Sequence, residues 1–245
     1  NRVMFMERDN MKKIFLLVPL IVIFGIYSAF ENGWLRLNYL GKKEFPVRGI
    51  DISHHQKKIN WEELRKAKIN FVIIKATEGA DYQDPNFKEN WNESLKEGYE
   101  TGAYHFYRLC KSGNEQAENF INTVPKSETA LPPFIDLEYG GNCKTDKSRD
   151  EVKKEIYIFL ETVKDHYGKS PVLYATDSFY KDYIENDYQE YDIWIRNIIS
   201  KPKLENNRKW TFWQYANRGR LKGIEGFVDL NVFHGSEEEY RKFIK

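Results

Sequence analysis

From Val47 onward, short apolar runs alternate with stretches whose apolar positions recur at helical spacing. VRGIDIS (47–53), FVIIKAT (71–77), TGAYHFY (101–107), PFIDLE (133–138) and PVLYAT (171–176) predict strands. Between them NWEELRKA (60–67), NFKENWNESLKEG (86–98), GNEQAENFINTV (113–124) and SRDEVKKEIYIFLETVKDHYG (148–168) predict helices. Asn60 is the expected N-cap of the first, Gly98 closes the second and Pro125 stops the third. Ser148 and Glu151 form a capping box at the start of the longest. SFYKDYI (178–184) is a further short helix. The rhythm then changes. YDIWIRN (191–197), KWTFWQYA (209–216) and GFVDLNVF (226–233) predict strands with little room for helices between them, and EEEYRKFI (237–244) is a closing helix. Strands first separated by helices and then bare suggest a closed, parallel-rich α/β barrel with an incomplete helical ring. An open doubly wound sheet is the alternative, but no glycine-rich dinucleotide loop follows the first strand.

The N-terminal pattern is different. Residues 14–30, IFLLVPLIVIFGIYSAF, carry no charge and follow Lys12 and Lys13. The run is long for the apolar region of a signal peptide and short for a membrane span. Tyr27 sits where a cleavage site before Phe30 would want a small residue, which favours a retained anchor over a removed signal. The expected division is a cytoplasmic segment 1–13, a transmembrane anchor or signal peptide 14–30, a linker 31–46 and a catalytic domain 47–245, exported in either case. Met11 reads as the true start, so residues 1–10 carry no fold information.

Side chains two apart on a strand share a face. In PFIDLE this sets Phe134, Asp136 and Glu138 on one side and Ile135 and Leu137 on the other. In GIDIS, Asp51 opposes Ile50 and Ile52; in FVDLNVF, Asp229 and Asn231 oppose Val228, Leu230 and Val232. Three strands thus turn acids toward the lumen of a barrel while aliphatics face its helices. Crowded, buried carboxylates raise each other's pKa, as a general acid working near neutral pH requires.

Composition narrows the chemistry. With 38 basic and 37 acidic residues the chain carries no field for a polyanion, so a nucleic-acid partner is not expected. Aromatic residues make up 16% of the chain, which suits either a large core or a sugar-stacking cleft. A glycosidase, a carboxylate-rich metallohydrolase and a sugar-binding module without turnover all use such a cluster. His54, His55, His105, His166 and His234 form no metal-binding spacing, so no metal or other cofactor is expected.

RGIDISHHQKKINW, FVIIKATEGADYQDPNF, GAYHFYR, PPFIDLEYG, WQYA and VDLNVF, in this order, resemble the glycoside hydrolase family 25 lysozymes, the Chalaropsis-type N-acetylmuramidases. The resemblance runs from about Val47 to near the end of the chain. It implies a TIM-like barrel of five β/α units followed by three β-strands, here preceded by the N-terminal hydrophobic segment. It implies cleavage of the β-1,4 bond between N-acetylmuramic acid and N-acetylglucosamine in peptidoglycan by a monomeric enzyme. Glu138 would be the general acid, Asp136 its partner as nucleophile or orienter of the acetamido group, and Asp51 and Asp229 the other acids of the site. Candidate sugar contacts are Tyr104, Tyr174, Trp194, Trp213, Tyr215 and Glu78; Glu78 lines the cleft or holds a loop. The chain departs from the family pattern at Lys57, Arg196 and Ile198, which bear on the sugar subsites. An inactive wall-binding barrel is the alternative. Cys110 and Cys143 follow the third and fourth strands, on neighbouring loops of one barrel mouth, and predict a disulfide in an exported protein.

Overall fold

In the computed structural model, residues 18–245 are described. The expected segment 1–13, and residues 14–17 of the apolar run, lie outside them. Two units are present, Asn1–Leu37 and Asn38–Lys245. In the first, residues 18–31 are helical with exposed apolar side chains such as Leu20, Ile21, Ile23 and Phe24. Among the described residues no helix is long and apolar enough to cross a membrane.

The second unit is an α/β barrel. Its strands are β1 (Arg48–Ile52), β2 (Phe71–Glu78), β3 (Tyr82–Gln83), β4 (Glu100–Phe106), β5 (Phe134–Leu137), β6 (Val172–Thr176), β7 (Asp192–Arg196), β8 (Phe212–Gly219) and β9 (Val228–Phe233). Parallel pairing runs β1–β2–β4–β5–β6–β7–β8. β9 closes the ring, antiparallel to both β8 and β1. The short β3, which carries no apolar alternation for a sequence reading to find, pairs with β2 outside the ring.

The helices are α1 (Trp61–Leu64), α2 (Phe87–Lys96), α3 (Gly113–Thr123), α4 (Arg149–Tyr167), α5 (Asp177–Phe179, continued by a π-turn over Tyr180–Ile184) and α6 (Glu237–Phe243). Asn60 caps α1 by accepting from the Glu63 N–H at 3.1 Å. Ser148 and Glu151 form the capping box of α4. No α-helix separates β7, β8 and β9, only a 3-10 turn at Glu205–Asn207 between the first two, so the ring is five β/α units followed by three strands without α-helices.

Alternation along the strands builds two cores. Ile50, Ile52, Ile74, Ile135, Leu137 and Leu173 face outward and pack with the helices. Phe71, Ile73, Phe134, Val172, Trp194 and Phe212 fill the lumen. Each fully buried side chain of this size contributes about 1.5–3 kcal/mol relative to exposure. Room for the inner aromatics comes from glycine: a Cβ on Gly49 would overlap the Phe71 ring, and one on Gly102 would lie 2.9 Å from the Phe134 ring. At the N-terminal end α6 plugs the barrel. Tyr240 lies 6.0 Å from Phe71 and 5.1 Å from Phe233, and Phe243 lies 5.4 Å from Phe212, measured between ring centroids.

Part of the expected linker 31–46 belongs to the barrel unit. Phe45 is 1% exposed against Trp210 and Trp213. Asn38 donates to the Ile198 carbonyl at 2.8 Å, and Arg48 donates to the Leu40 carbonyl at 2.6 Å. A lone buried Phe in a polar stretch has no periodicity, so nothing local marks it as core.

The loops after β4 and β5 are joined by the Cys110–Cys143 disulfide, with Cα atoms 5.9 Å apart. Asn142 stitches the same loops. Its amide donates to the Tyr107 and Glu138 carbonyls, both at 2.8 Å, and its oxygen accepts from the Leu109 N–H at 3.0 Å.

Candidate active site

At the C-terminal mouth of the parallel strands lies a cleft of about 710 Å³. Asp51, Asp136, Glu138 and Asp229 all line it, with Tyr104, Tyr174 and Trp194. β1 and β9 place their acids directly: Asp51 and Asp229 are register partners in the antiparallel pair, so their side chains share one patch of wall. On β5, Asp136 faces the lumen and Glu138 follows one residue past the strand end, toward the mouth.

Asp51 is the best-solvated carboxylate of the four in protein terms. Its Oδ2 accepts from Asn231 Nδ2 at 2.7 Å and from Gln214 Nε2 at 3.0 Å. Both amides are oriented from behind. The Trp194 indole donates to Asn231 Oδ1 at 2.8 Å, and the Tyr174 hydroxyl donates to Gln214 Oε1 at 3.1 Å. An amide whose oxygen is occupied must turn its N–H groups to Asp51. Burial raises the Asp51 pKa, and these hydrogen bonds oppose the rise. Asp229 has no such donors. Burial, the charge of Asp51 and their shared hydrogen bond push its pKa well above the carboxylate range, so the proton between them sits on Asp229.

The β5 acids behave alike. Burial, then the neighbouring charges of Glu138 and Asp51, push Asp136 well above the carboxylate range. Its buried Oδ1 has no hydrogen-bond partner. Burial also raises Glu138, with Asp51 adding to the rise and Arg196 and Lys75 opposing it. The site therefore holds protons on carboxyl groups where water would remove them.

Three expected sugar contacts, Trp213, Tyr215 and Glu78, do not join the cleft. On β8, Phe212 and Gln214 face inward, so Trp213 and Tyr215 face the outer core. Trp213 packs 5.9 Å from Phe45 and donates from Nε1 to the Asn197 carbonyl at 2.7 Å. Glu78 lies behind the cleft lining, bridging Lys75 Nζ at 2.6 Å and the Arg108 guanidinium at 2.5 Å. Burial raises its pKa, but the two cations outweigh burial and leave it lowered. It holds the second loop to the fourth strand's end and positions Lys75, which does line the cleft.

Lys75, Gln214 and the rim residue Tyr139 are cleft residues that sequence reasoning passed over as site groups, and Arg196, noted there only as a departure bearing on the subsites, also lines the cleft. The available signal was parity: Gln214 is two residues from inward Phe212, and Arg196 two from inward Trp194. His55 also reaches the cleft; burial, then the charges of His54 and Lys75, lower its pKa. His105 does not reach it. It is buried behind β4 between Thr77 Oγ1 at 2.7 Å and Gln116 Oε1 at 3.1 Å, and burial lowers its pKa to about 3. Among the described residues, no group of His, Cys, Asp and Glu is arranged to hold a metal ion.

The sequence profile of the glycosyl hydrolases family 25 matches residues 50–224. A family 25 glycosyl hydrolase from Bacillus anthracis superposes with a TM-score of 0.80 at 41% identity, covering 86% of this chain and 98% of that one. Lysozyme M1 of Streptomyces globisporus is 33% identical over 78% of this chain and 68% of its own length. The protein YegX of Escherichia coli O157:H7 is 35% identical over 82% of this chain and 74% of its own. Acids on β1, β5 and β9 around one mouth, the five-plus-three barrel and the profile match agree: the chain belongs to glycosyl hydrolase family 25 and is a glycosidase of the lysozyme type.

Proposed function

We propose that this protein hydrolyses peptidoglycan at the β-1,4 bond between N-acetylmuramic acid and N-acetylglucosamine, with Glu138 as the general acid. The observation that carries the reading is the buried carboxyl set at the mouth: Glu138, raised by burial, stands one step outside Asp136 on the same chain segment. A glycosidic oxygen needs a proton as its bond to the sugar breaks, and a carboxyl that is protonated near neutral pH supplies it. Asp136, whose buried Oδ1 lacks a donor, accepts from the substrate's acetamido N–H through that oxygen or, once it has given up its proton, attacks the anomeric carbon. Asp229, proton-bearing beside Asp51, holds the opposite wall. Either route through Asp136 retains the anomeric configuration. The protein acts outside the cytoplasm on glycan strands as a monomer. Residues 14–30 direct its export, as a retained anchor or a removed signal.

Purified sacculi test the reading. Mass spectrometry of the released muropeptides should show N-acetylmuramic acid at the reducing end, and NMR of the first product should show the β-anomer. Reducing-end glucosamine, or no release at all, sinks the muramidase assignment. No release with tight binding to sacculi would mark a wall-binding barrel.

A further inference from the structure

Arg196 is the cleft residue that the acid chemistry leaves unexplained. It is the last residue of β7, two beyond Trp194, so its side chain stands above the indole on the lumen side. It is half-buried, and it has no hydrogen-bond or ion-pair partner within bonding distance among the described residues. The other cation of the cleft, Lys75, is committed to Glu78. A half-buried guanidinium with open donors is a ready partner for a carboxylate, which matches its planar fork. Arg196 also lies near Glu138, close enough for its charge to oppose the rise of that acid's pKa. What it grips therefore lies in the same cleft as Glu138.

We propose that Arg196 is a specificity-determining residue that binds the lactyl carboxylate of N-acetylmuramic acid where no stem peptide is attached. The proposal rests on the muramidase reading above. In a wall glycan the anion nearest the ring is this lactyl group, and it is charged only when its amide link to a peptide is absent. Stem-peptide carboxylates lie farther from the ring. Among the described residues Arg196 is the cation of this cleft with open donors, and burial pushes Asp136 and Asp229 toward their neutral forms, which lessens the negative charge around it. The enzyme would then prefer peptide-free strands. The reaction class that supplies them is hydrolysis of the amide between the lactyl group and the first residue of the stem.

The test uses the Glu138→Gln protein, which removes both turnover and an acid whose charge interacts with Arg196. Calorimetry measures its affinity for a tetrasaccharide of alternating N-acetylglucosamine and N-acetylmuramic acid in three forms: lactyl carboxylates free, converted to simple amides, or carrying stem tripeptides. With Arg196 present, the free form should bind at least about tenfold more tightly than the amide, the worth of one charge-assisted contact. With Arg196→Gln added, the two should bind alike, and Arg196→Lys should keep part of the preference. Equal binding of free and amide forms by the Arg196 protein overturns the proposal, as does a preference that survives Arg196→Gln. A tripeptide form that binds as tightly as the free form, and loses this with Arg196→Gln, moves the contact to a stem carboxylate and also overturns it. If the tetrasaccharides bind without preference while the wild-type protein releases muropeptides, Arg196 alone is misassigned. If none binds and no muropeptide is released, the muramidase reading fails with it.

Discussion

At the scale of single residues, the cleft is a set of carboxyls separated by how many donors each receives. Glu138→Gln keeps the shape of the side chain and removes its proton. Turnover on sacculi should fall about 10²–10⁴-fold with an unchanged circular dichroism spectrum. Near-wild-type release would show that another group protonates the leaving oxygen. Asp229 makes the opposite kind of statement. Its folded pKa is raised, so its contribution to stability is full below the ordinary carboxylate range and is lost as pH rises through that range toward the folded value. Asp229→Asn keeps a donor toward Asp51 without the ionisable proton. Its melting temperature should exceed that of the wild type at pH 8, by about 2–4 °C for each kcal/mol released, and match it near pH 4. A difference that is the same at both pH values would mean that Asp229 is already ionised in the fold. The acids were legible in the sequence because a charge inside an alternating apolar strand breaks a pattern. Gln214 and Asn231 were less so, since their work depends on a partner 163 and 180 residues away, and the lysine's tie to Glu78, three residues on along the same strand, carries no period that would mark it.

At the scale of elements, the mouth is held by fastenings between the loops after β4 and β5. Asn142 hydrogen-bonds the Glu138 carbonyl, and the Cys110–Cys143 disulfide closes a segment whose ends are 33 residues apart. The chain-entropy account assigns a crosslink of this span about 3–4 kcal/mol. Reduction, or Cys143→Ser, should lower the melting temperature by about 6–15 °C, and activity should decline because the strand end bearing Glu138 gains freedom. A melting temperature unmoved by reductant would show that Asn142, and Arg108 donating to the Gly141 carbonyl, hold the loops by themselves. The strands and capped helices were readable because each carries its period or its cap in a few adjacent residues. The side of Trp213 and Tyr215 was not, because KWTFWQYA offers aromatics on both faces and only the neighbouring strands decide which face is the lumen.

At the scale of the whole barrel, the two ends have separate duties. The C-terminal mouth gathers the four carboxyls, and the other end is sealed by α6 through Tyr240 and Phe243. Tyr240 is 5% exposed and its hydroxyl has no hydrogen-bond partner, so it acts there as a hydrophobic ring. Tyr240→Ala should destabilise the fold by about 3–5 kcal/mol, the usual loss for a large buried aromatic, and leave KM on peptidoglycan unchanged. A raised KM at full stability would mean that the plug governs the mouth. The thinning of helices toward the end of the ring was visible in the spacing of strands, and the five-plus-three count came from the family resemblance. The direction of β9 was not, because parallel and antiparallel strands look alike one at a time.

That reversed last strand has a consequence in time. β9 supplies Asp229 and Asn231 and is hydrogen-bonded to β1, which holds Asp51. The first and last strands of the ring are thus mutual neighbours, and Asp51 lacks its Asn231 donor until residue 231 has been made. A chain still being synthesised or threaded across a membrane has β1, β2, β4 and β5 but no closed ring. Its acid cluster is incomplete until nearly all of the barrel has emerged. Proteolysis that removes β9 would take Asp229 and Asn231 out of the cluster even though Asp136 and Glu138 remain in the polypeptide.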